Sequence, residues 1–259
     1  MRIAVLSDVH ANLHALQAVS KDLDEQDIQE TWSLGDIVGY GGHPLEALAW
    51  AEERATLRLK GNHDEAVATG DVQGFNPMAA QAARLHAQIL SPPERARLFA
   101  WPDTARREID GTSVLAVHAS PDDPLHEYVQ PADARLGLQR WQGRARIILM
   151  GHTHRPFVAA LDEEPSPEKP AGASPAWAST GFIESFHETH QGSAPLLIVN
   201  PGSVGQPRDG DPRASYAVLD IEARTVELRR VAYDVEAAAQ AILKRGLDHL
   251  LALRLYDGR

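Results

Sequence analysis

Apolar positions along this chain follow two rhythms. Short runs of a few residues alternate with longer stretches spaced like one face of a helix. Arg2 to Ser7, with Ile3, Val5 and Leu6, reads as a buried strand. Leu13, Leu16, Val19 and Leu23 then predict a helix over 13–26. Glu30 to Leu34 is a second strand, and Leu57 and Leu59 mark a third. Between these two, Pro44 opens a helix that ends near Arg54. Residues 77–100 read as helical, broken at Ser91-Pro92-Pro93. Glu108 to Asp110 and Ser113 to Val117 form a hairpin about Asp110-Gly111. A helix over Pro131 to Gln142 precedes strands at Arg146 to Met150, Phe157 to Leu161 and Leu196 to Val199. Tyr216 to Ile221 and Thr225 to Val231 make a late hairpin. Helices from Val235 close the chain, with Leu247, Leu250, Leu251 and Leu253 apolar. Strands and helices alternate early and strands pair late, which argues for an α/β layered fold with mixed sheets. The pattern shows no boundary, so residues 1–259 read as a single domain. A Pro-rich insertion at about 162–194 carries Pro165, Pro167, Pro170 and Pro175, with a possible strand over Thr180 to Phe186.

Composition narrows the chemistry. At 259 residues the chain can bury a full core without a staple. It has no cysteine, which excludes disulfides, thiolate zinc sites and iron–sulfur clusters. A net charge of -11 argues against a partner such as extended nucleic acid. No apolar run approaches the roughly 20 residues of a membrane span, and Met1 leads straight into a strand. No membrane partner and a cytoplasmic location are therefore expected.

Five strand ends are followed at once by metal-competent residues: Asp8/His10, Asp36, Asn62/His63, His118 and His152/His154. Ligands of open α/β sheets gather beyond the carboxyl ends of strands, so strands lying side by side would bring these residues to one rim. Two carboxylates, an amide and several imidazoles exceed what one tetrahedral zinc takes and suit two ions. Asp36, alone on its loop, is the choice for a bridging carboxylate. Ligation by nitrogen and oxygen without sulfur favours Mn²⁺, with Fe, Zn²⁺ and Ni²⁺ also compatible, over Ca²⁺ or Mg²⁺. Two such ions generate hydroxide from a shared water and offset charge on a phosphoryl group. His63, beside Asn62 but not needed as a ligand, is the candidate general acid for the leaving alkoxide.

In this order, the motifs D-x-H at Asp8, G-D at Asp36, G-N-H-D at 61–64, His118 and G-H-T-H at 151–154 resemble the calcineurin-like metallophosphoesterase superfamily. The run from Asn200 to Asp209 resembles its small bacterial and archaeal phosphodiesterase branch. The resemblance implies a four-layer fold, two mixed β-sheets packed as a sandwich with flanking helices. It also implies one metal on Asp8, His10, Asp36 and His154, and a second on Asp36, Asn62, His118 and His152. The implied activity is metal-dependent hydrolysis of a small phosphodiester or cyclic nucleotide, with a phosphomonoesterase or nucleotidase as the alternative. A non-catalytic metal-binding scaffold, like the retromer subunit of similar fold, is the alternative of a different class. Protein Ser/Thr phosphatases and symmetrical dinucleoside tetraphosphatases carry G-D-x-V-D-R-G, where this chain has Gly35-Asp36-Ile37-Val38-Gly39-Tyr40-Gly41. It lacks the second Asp, which would support the catalytic His, and the Arg that grips phosphate.

Other residues carry weaker expectations. Arg208, with Asn62 and His63, is a candidate for substrate binding, since its fork fits phosphate, with an ion pair to Asp209 or Asp211 as the structural alternative. Asn12 reads as a helix cap or a support for the ligands. Tyr40, His43, His126 and Tyr128 are candidate pocket residues. His187 and His190 read as exposed polar residues of the insertion. Trp32, Trp50, Trp101 and Trp141 read as packing residues.

Overall fold

A computed structural model of the chain describes residues 1–163, 178–180, 185–190 and 196–259. Among the described residues, twelve strands form two six-stranded sheets. The first runs, in spatial order, β3 (Leu57–Arg58), β2 (Glu30–Ser33), β1 (Arg2–Leu6), β11 (Ala214–Asp220), β12 (Thr225–Val231) and β8 (Ala178–Thr180). The second runs β4 (Thr104–Ile109), β5 (Thr112–Val117), β6 (Ile147–Leu149), β10 (Leu196–Asn200), β7 (Phe157–Glu163) and β9 (Ser185–His190). Both sheets are mixed. β1, β2 and β3 are parallel, as are β5, β6 and β10.

Strand side chains alternate faces, and the alternation explains the layers. Ile3, Val5, Trp32 and Leu34 of the first sheet meet Val114, Ala116, Ile147, Leu149, Leu197 and Val199 of the second in one buried layer. The intervening residues face outward. Ala4 and Leu6 pack beneath α1 (Leu13–Asp24) and α2 (Pro44–Arg54). Leu115, Ile148 and Ile198 pack beneath α6 (Ala134–Arg140), with Leu138 and Trp141 over them. Central strands are buried on both faces, which is why they read as continuous apolar runs. The result is the expected sandwich with flanking helices. Trp32 and Trp141 are fully buried, and Trp50 and Trp101 pack, partly buried, on the helical side of the first sheet.

Of the strand expected at Thr180 to Phe186, Thr180 closes β8 at the edge of one sheet and Ser185 opens β9 at the edge of the other, while residues 181–184 lie outside the described ones. His187 and His190 lie on β9, but their side chains fall outside the described residues. Near the C-terminus, α7 (Val235–Lys244) and α8 (His249–Asp257) bury Leu247 and Leu251 but leave Leu250 and Leu253 48% and 55% exposed. Finally, Asn62 and His63 are not loop residues. They begin helix α3 (Asn62–Thr69), whose N-cap is Gly61. Two more helices, α4 (Pro77–Ile89) and α5 (Pro92–Phe99), follow it. Among the described residues, no helix is long and apolar enough to cross a membrane.

Candidate active site

Parallel strands put their carboxyl ends side by side, and the metal-competent residues follow those ends. Leu6 of β1 pairs with Ser33 of β2, which pairs with Arg58 of β3. The next residues along each chain carry Asp8 and His10, Asp36, and Asn62. In the second sheet Ala116 pairs with Leu149, so His118 and the turn with His152 and His154 emerge together. The loops are tied by backbone bonds. Asp8 N–H donates to Gly35 O at 3.1 Å, His10 N–H to Asp36 O at 2.9 Å and Gly151 N–H to His118 O at 2.7 Å. Asn12 caps α1 and its amide donates to Gly205 O at 2.8 Å. Asn200 donates to Gly151 O at 2.8 Å, which pins the turn carrying the two histidines.

The turns are tight. Asp8, His10, Asp36, His152 and His154 all have positive φ, between 48° and 64°. Non-glycine residues adopt this conformation at a cost, and it concentrates where surrounding structure imposes it for function. Gly61 shows how close the loops come. A β-carbon there would stand 2.1 Å from Asp36 Oδ1, so only glycine fits.

All seven candidate ligands are buried. Asp8, His10, Asp36 and His154 each offer a ligand atom, all within 4.8 Å of one another. Asp36, His118 and His152 form a second such group, and Asp36 belongs to both. Asn62 joins the second group, with its Oδ1 3.2 Å from His118 Nε2.

Hydrogen bonding fixes what these rings present to each other. His10 Nδ1 lies 3.0 Å from Val38 O, His118 Nδ1 2.9 Å from Leu34 O, and His154 Nδ1 2.6 Å from Gln206 O. A carbonyl only accepts, so each Nδ1 carries its hydrogen and each neutral ring turns a lone pair inward from Nε2. Those lone pairs meet other acceptors. His10 Nε2 is 3.1 Å from His154 Nε2, and His118 Nε2 is 3.2 Å from His152 Nδ1. Asp8 Oδ1 is buried and accepts no hydrogen bond. Acceptors converging on acceptors in a buried site require a positive charge between them. The donor set therefore fits two divalent cations, with Asp36 common to both.

Protonation follows the same logic. Burial lowers His118, but the Asp36 and Asp8 carboxylates outweigh it and push the ring up to about 9. Burial would raise Asp36, and the charges of His118 and His63 instead hold it well below the carboxylate range. His152 is lowered by burial and by His118, to about 3. A proton at His118 thus does in part what a cation does in full.

His63 stands beside this cluster. Its N–H donates to Asp36 Oδ1 at 2.9 Å, and its ring packs against His10, Tyr40 and Phe75. Its Nδ1 is buried without a partner. The related motif would supply an Asp at Gly39, yet a β-carbon there would stand 2.5 Å from His63 Nδ1. Burial pushes His63 down to about 4, Asp36 opposes that, and Arg208 adds to it. The acid of the same tetrapeptide, Asp64, turns away, its carboxylate accepting from Val38 N–H and Gly61 N–H.

Two clefts flank the cluster. One, about 230 Å³, is lined by Asn62, His63, His152, Tyr40, Phe75 and Tyr128 among others. The other, about 450 Å³, is lined by Thr153, Arg155, Arg208, Tyr128 and Gln130. His126 lines the first. His43 lines neither; it borders a small enclosed space behind the His10 loop with His14 and Asn12. Arg208 does not pair with Asp209 or Asp211, which bond Arg230 and Arg213 instead. Its guanidinium donates to Gln206 Oε1 at 3.0 Å and lies 5.8 Å from the Tyr40 ring centroid. Tyr40 occupies the position of the motif's missing Arg, so Arg208 brings positive charge to that neighbourhood from a different loop.

Sequence reading missed His86. This residue of α4 is fully buried, accepts from Gly39 N–H at 3.0 Å and donates to Gly41 O at 3.0 Å. It clamps the loop that carries Tyr40. No local pattern in its helix marks a histidine that reaches a loop 45 residues away.

Comparisons with known proteins bear on the family and the fold. A model of the calcineurin-like phosphoesterase superfamily domain matches residues 1–224. The uncharacterized protein MJ0912 of Methanocaldococcus jannaschii is 33% identical over 264 residues, covering 99% of this chain and 98% of that protein. The crystal structure of a metallophosphoesterase from Sphaerobacter thermophilus is similar at 34% identity, with a TM-score of 0.75 over 100% of this chain and 99% of that one. A hypothetical protein from Pyrococcus horikoshii, PH1004, shares the fold at 18% identity, with a TM-score of 0.77 over 100% of this chain and 98% of the other.

Proposed function

The chain belongs to the calcineurin-like phosphoesterase superfamily and is a metal-dependent phosphoesterase, and from that premise we propose that it hydrolyses small phosphodiesters with Mn²⁺ as the working metal. The observation that carries the reading is the pair of buried ligand groups sharing Asp36, with His63 at their edge facing an aromatic cleft.

Asp8, His10, Asp36 and His154 would hold one cation, and Asp36, Asn62, His118 and His152 the other. Divalent cations bound there would supply a water acidified towards a pKa of about 7 and offset charge on phosphoryl oxygens. The protein's own residues do the rest. The Nδ1 bonds to Val38, Leu34 and Gln206 hold three imidazoles in the tautomer that ligates. Asn62 and His63 open α3, whose N-terminal amides favour an anion. His63 lines the smaller cleft, where Tyr40, Phe75 and Tyr128 offer flat apolar surface to a leaving group. Its imidazole would give the leaving oxygen a proton. Burial depresses that imidazole, and a bound phosphoryl anion acts in the opposite sense, as Asp36 already does.

Diester preference is favoured by the paired clefts, which give room for an ester group on each side of the phosphorus. The test compares bis(p-nitrophenyl) phosphate with p-nitrophenyl phosphate on Mn²⁺-loaded protein. A higher kcat/KM for the diester is expected. Faster turnover of the monoester replaces this reading with a phosphomonoesterase, and an Mg²⁺-loaded protein more active than the Mn²⁺ form removes the metal assignment.

A further inference from the structure

The larger cleft is positive on a chain that is otherwise acidic. Several arginines bond carboxylates: Arg97 bonds Glu52, Arg140 bonds Asp122 and Glu127, Arg213 bonds Asp211, Arg229 bonds Asp22 and Arg230 bonds Asp209. Arg155 and Arg208 differ in sharing a cleft with no carboxylate among its lining residues. Arg208 Nε is buried and unbonded, and among the described residues its side chain bonds only the amide of Gln206. Arg155 is exposed and lines the cleft with Arg208.

Two guanidiniums in one cleft with no acid in its lining suit an anion. The metal-ligand cluster already accounts for one phosphoryl group. Thr153 lies between the ligands His152 and His154, so the 450 Å³ cleft opens directly beside that group.

We propose that the cleft of Arg155, Arg208, Gln130 and Thr153 is a subsite for a second phosphate, so that the preferred substrate carries a phosphate group beyond the scissile one. The proposal rests on the phosphoesterase reading and adds a substrate class to it. Two guanidinium forks suit a terminal phosphate, which offers three oxygens. Tyr128 borders both clefts and stacks 4.1 Å from His152, so the substrate would bend about it, its leaving group towards His63 and its second phosphate towards Arg155.

Two chromogenic esters test this on Mn²⁺-loaded protein: the p-nitrophenyl ester of thymidine 5′-phosphate, and the same ester bearing a 3′-phosphate. The added phosphate is expected to raise kcat/KM at least about tenfold, through a lower KM, the effect of one charge-assisted hydrogen bond. In an Arg155→Met variant the ratio between the two esters should fall towards one. A ratio of about one in the unsubstituted protein, with the plain ester turned over, overturns the subsite and leaves the phosphoesterase standing. If neither ester reacts, the phosphoesterase reading fails by itself. Calorimetric titration with thymidine 3′,5′-bisphosphate then decides the subsite: binding weakened in the Arg155→Met variant upholds it, and equal or absent binding removes it.

Discussion

The two sheets contribute unlike chemistry to one site. The loops of the first sheet bring Asp8, Asp36 and Asn62, the oxygen donors, with His10 the one imidazole among the ligands. The loops of the second bring only imidazoles, His118, His152 and His154. Neither set makes a site alone. Asp8 Oδ1 meets His154 Nε2 at 3.3 Å, and Asp36 Oδ2 meets His118 Nε2 at 3.5 Å. Each ligand group thus draws from both sheets. A cation bound in either group ties them together, and burial of the carboxylates is tolerable only when the second sheet, or a metal, supplies the compensating charge. Stability and reactivity are therefore coupled at the seam.

The sharpest way to break this arrangement is Asp36→Asn, which keeps the shape and removes the charge common to both groups. Hydrolysis of an aryl phosphodiester should fall by at least about 10³-fold, and elemental analysis should find metal at less than two ions per chain. Retained activity with both metals bound would remove Asp36 from the bridge.

The clamp on the Tyr40 loop offers a contrast, since His86 is buried as deeply but ligates nothing. Burial lowers its pKa from 6.5 to about 4. Its folded form resists a proton that the unfolded chain accepts below about pH 6.5. Its contribution is thus fully present above that pH and is lost as pH falls towards 4, by roughly 3 kcal/mol in all. Denaturant unfolding of the chain and of His86→Gln, followed from pH 7 to 4, should show a difference that shrinks over this window. A constant difference would mean that His86 does not titrate with folding.

His63 separates proton delivery from metal holding. In His63→Gln, kcat should drop about 10²-fold with a poorly leaving alkyl ester, and much less with p-nitrophenolate, which leaves without a proton. Metal content should stay unchanged. An equal loss on both esters would make His63 a structural residue of α3.

The smallest effect concerns the seam itself. Removal of metal by a chelator should lower stability by about 2.7 kcal/mol relative to a concentration one hundredfold above Kd. For a chain of this size that amounts to about 5–10 °C in Tm. The shift should vanish in Asp36→Asn. A metal-independent Tm in the unsubstituted protein would show that the sheets dock without help from the site.

Much of this was legible locally. The apolar runs gave the central strands because those strands are buried on both faces, and Asp8, Asp36, Asn62, His118 and His152 were legible because parallel strands end in step. Boundaries were less so. Asn62 and His63 read as loop because Gly61, a poor helix residue, serves as their cap. Leu250, Leu251 and Leu253 read alike as apolar, and spacing does not say that the last helix buries Leu251 and exposes the other two.

What the chain determined by itself was the inventory: which side chains can hold metal, their order, and their places just beyond strand ends, since backbone turns and donor chemistry are local properties. Tertiary structure decided the pairings. His10 meets His154 across 144 residues, His86 reaches Gly39 across 47, and Arg245 beyond the last sheet strand donates to Gly42 O across 203. These contacts depend on how two sheets stack and where the C-terminal helices dock. That is settled by burial of apolar faces summed over the whole molecule, and no stretch of sequence near the site records it.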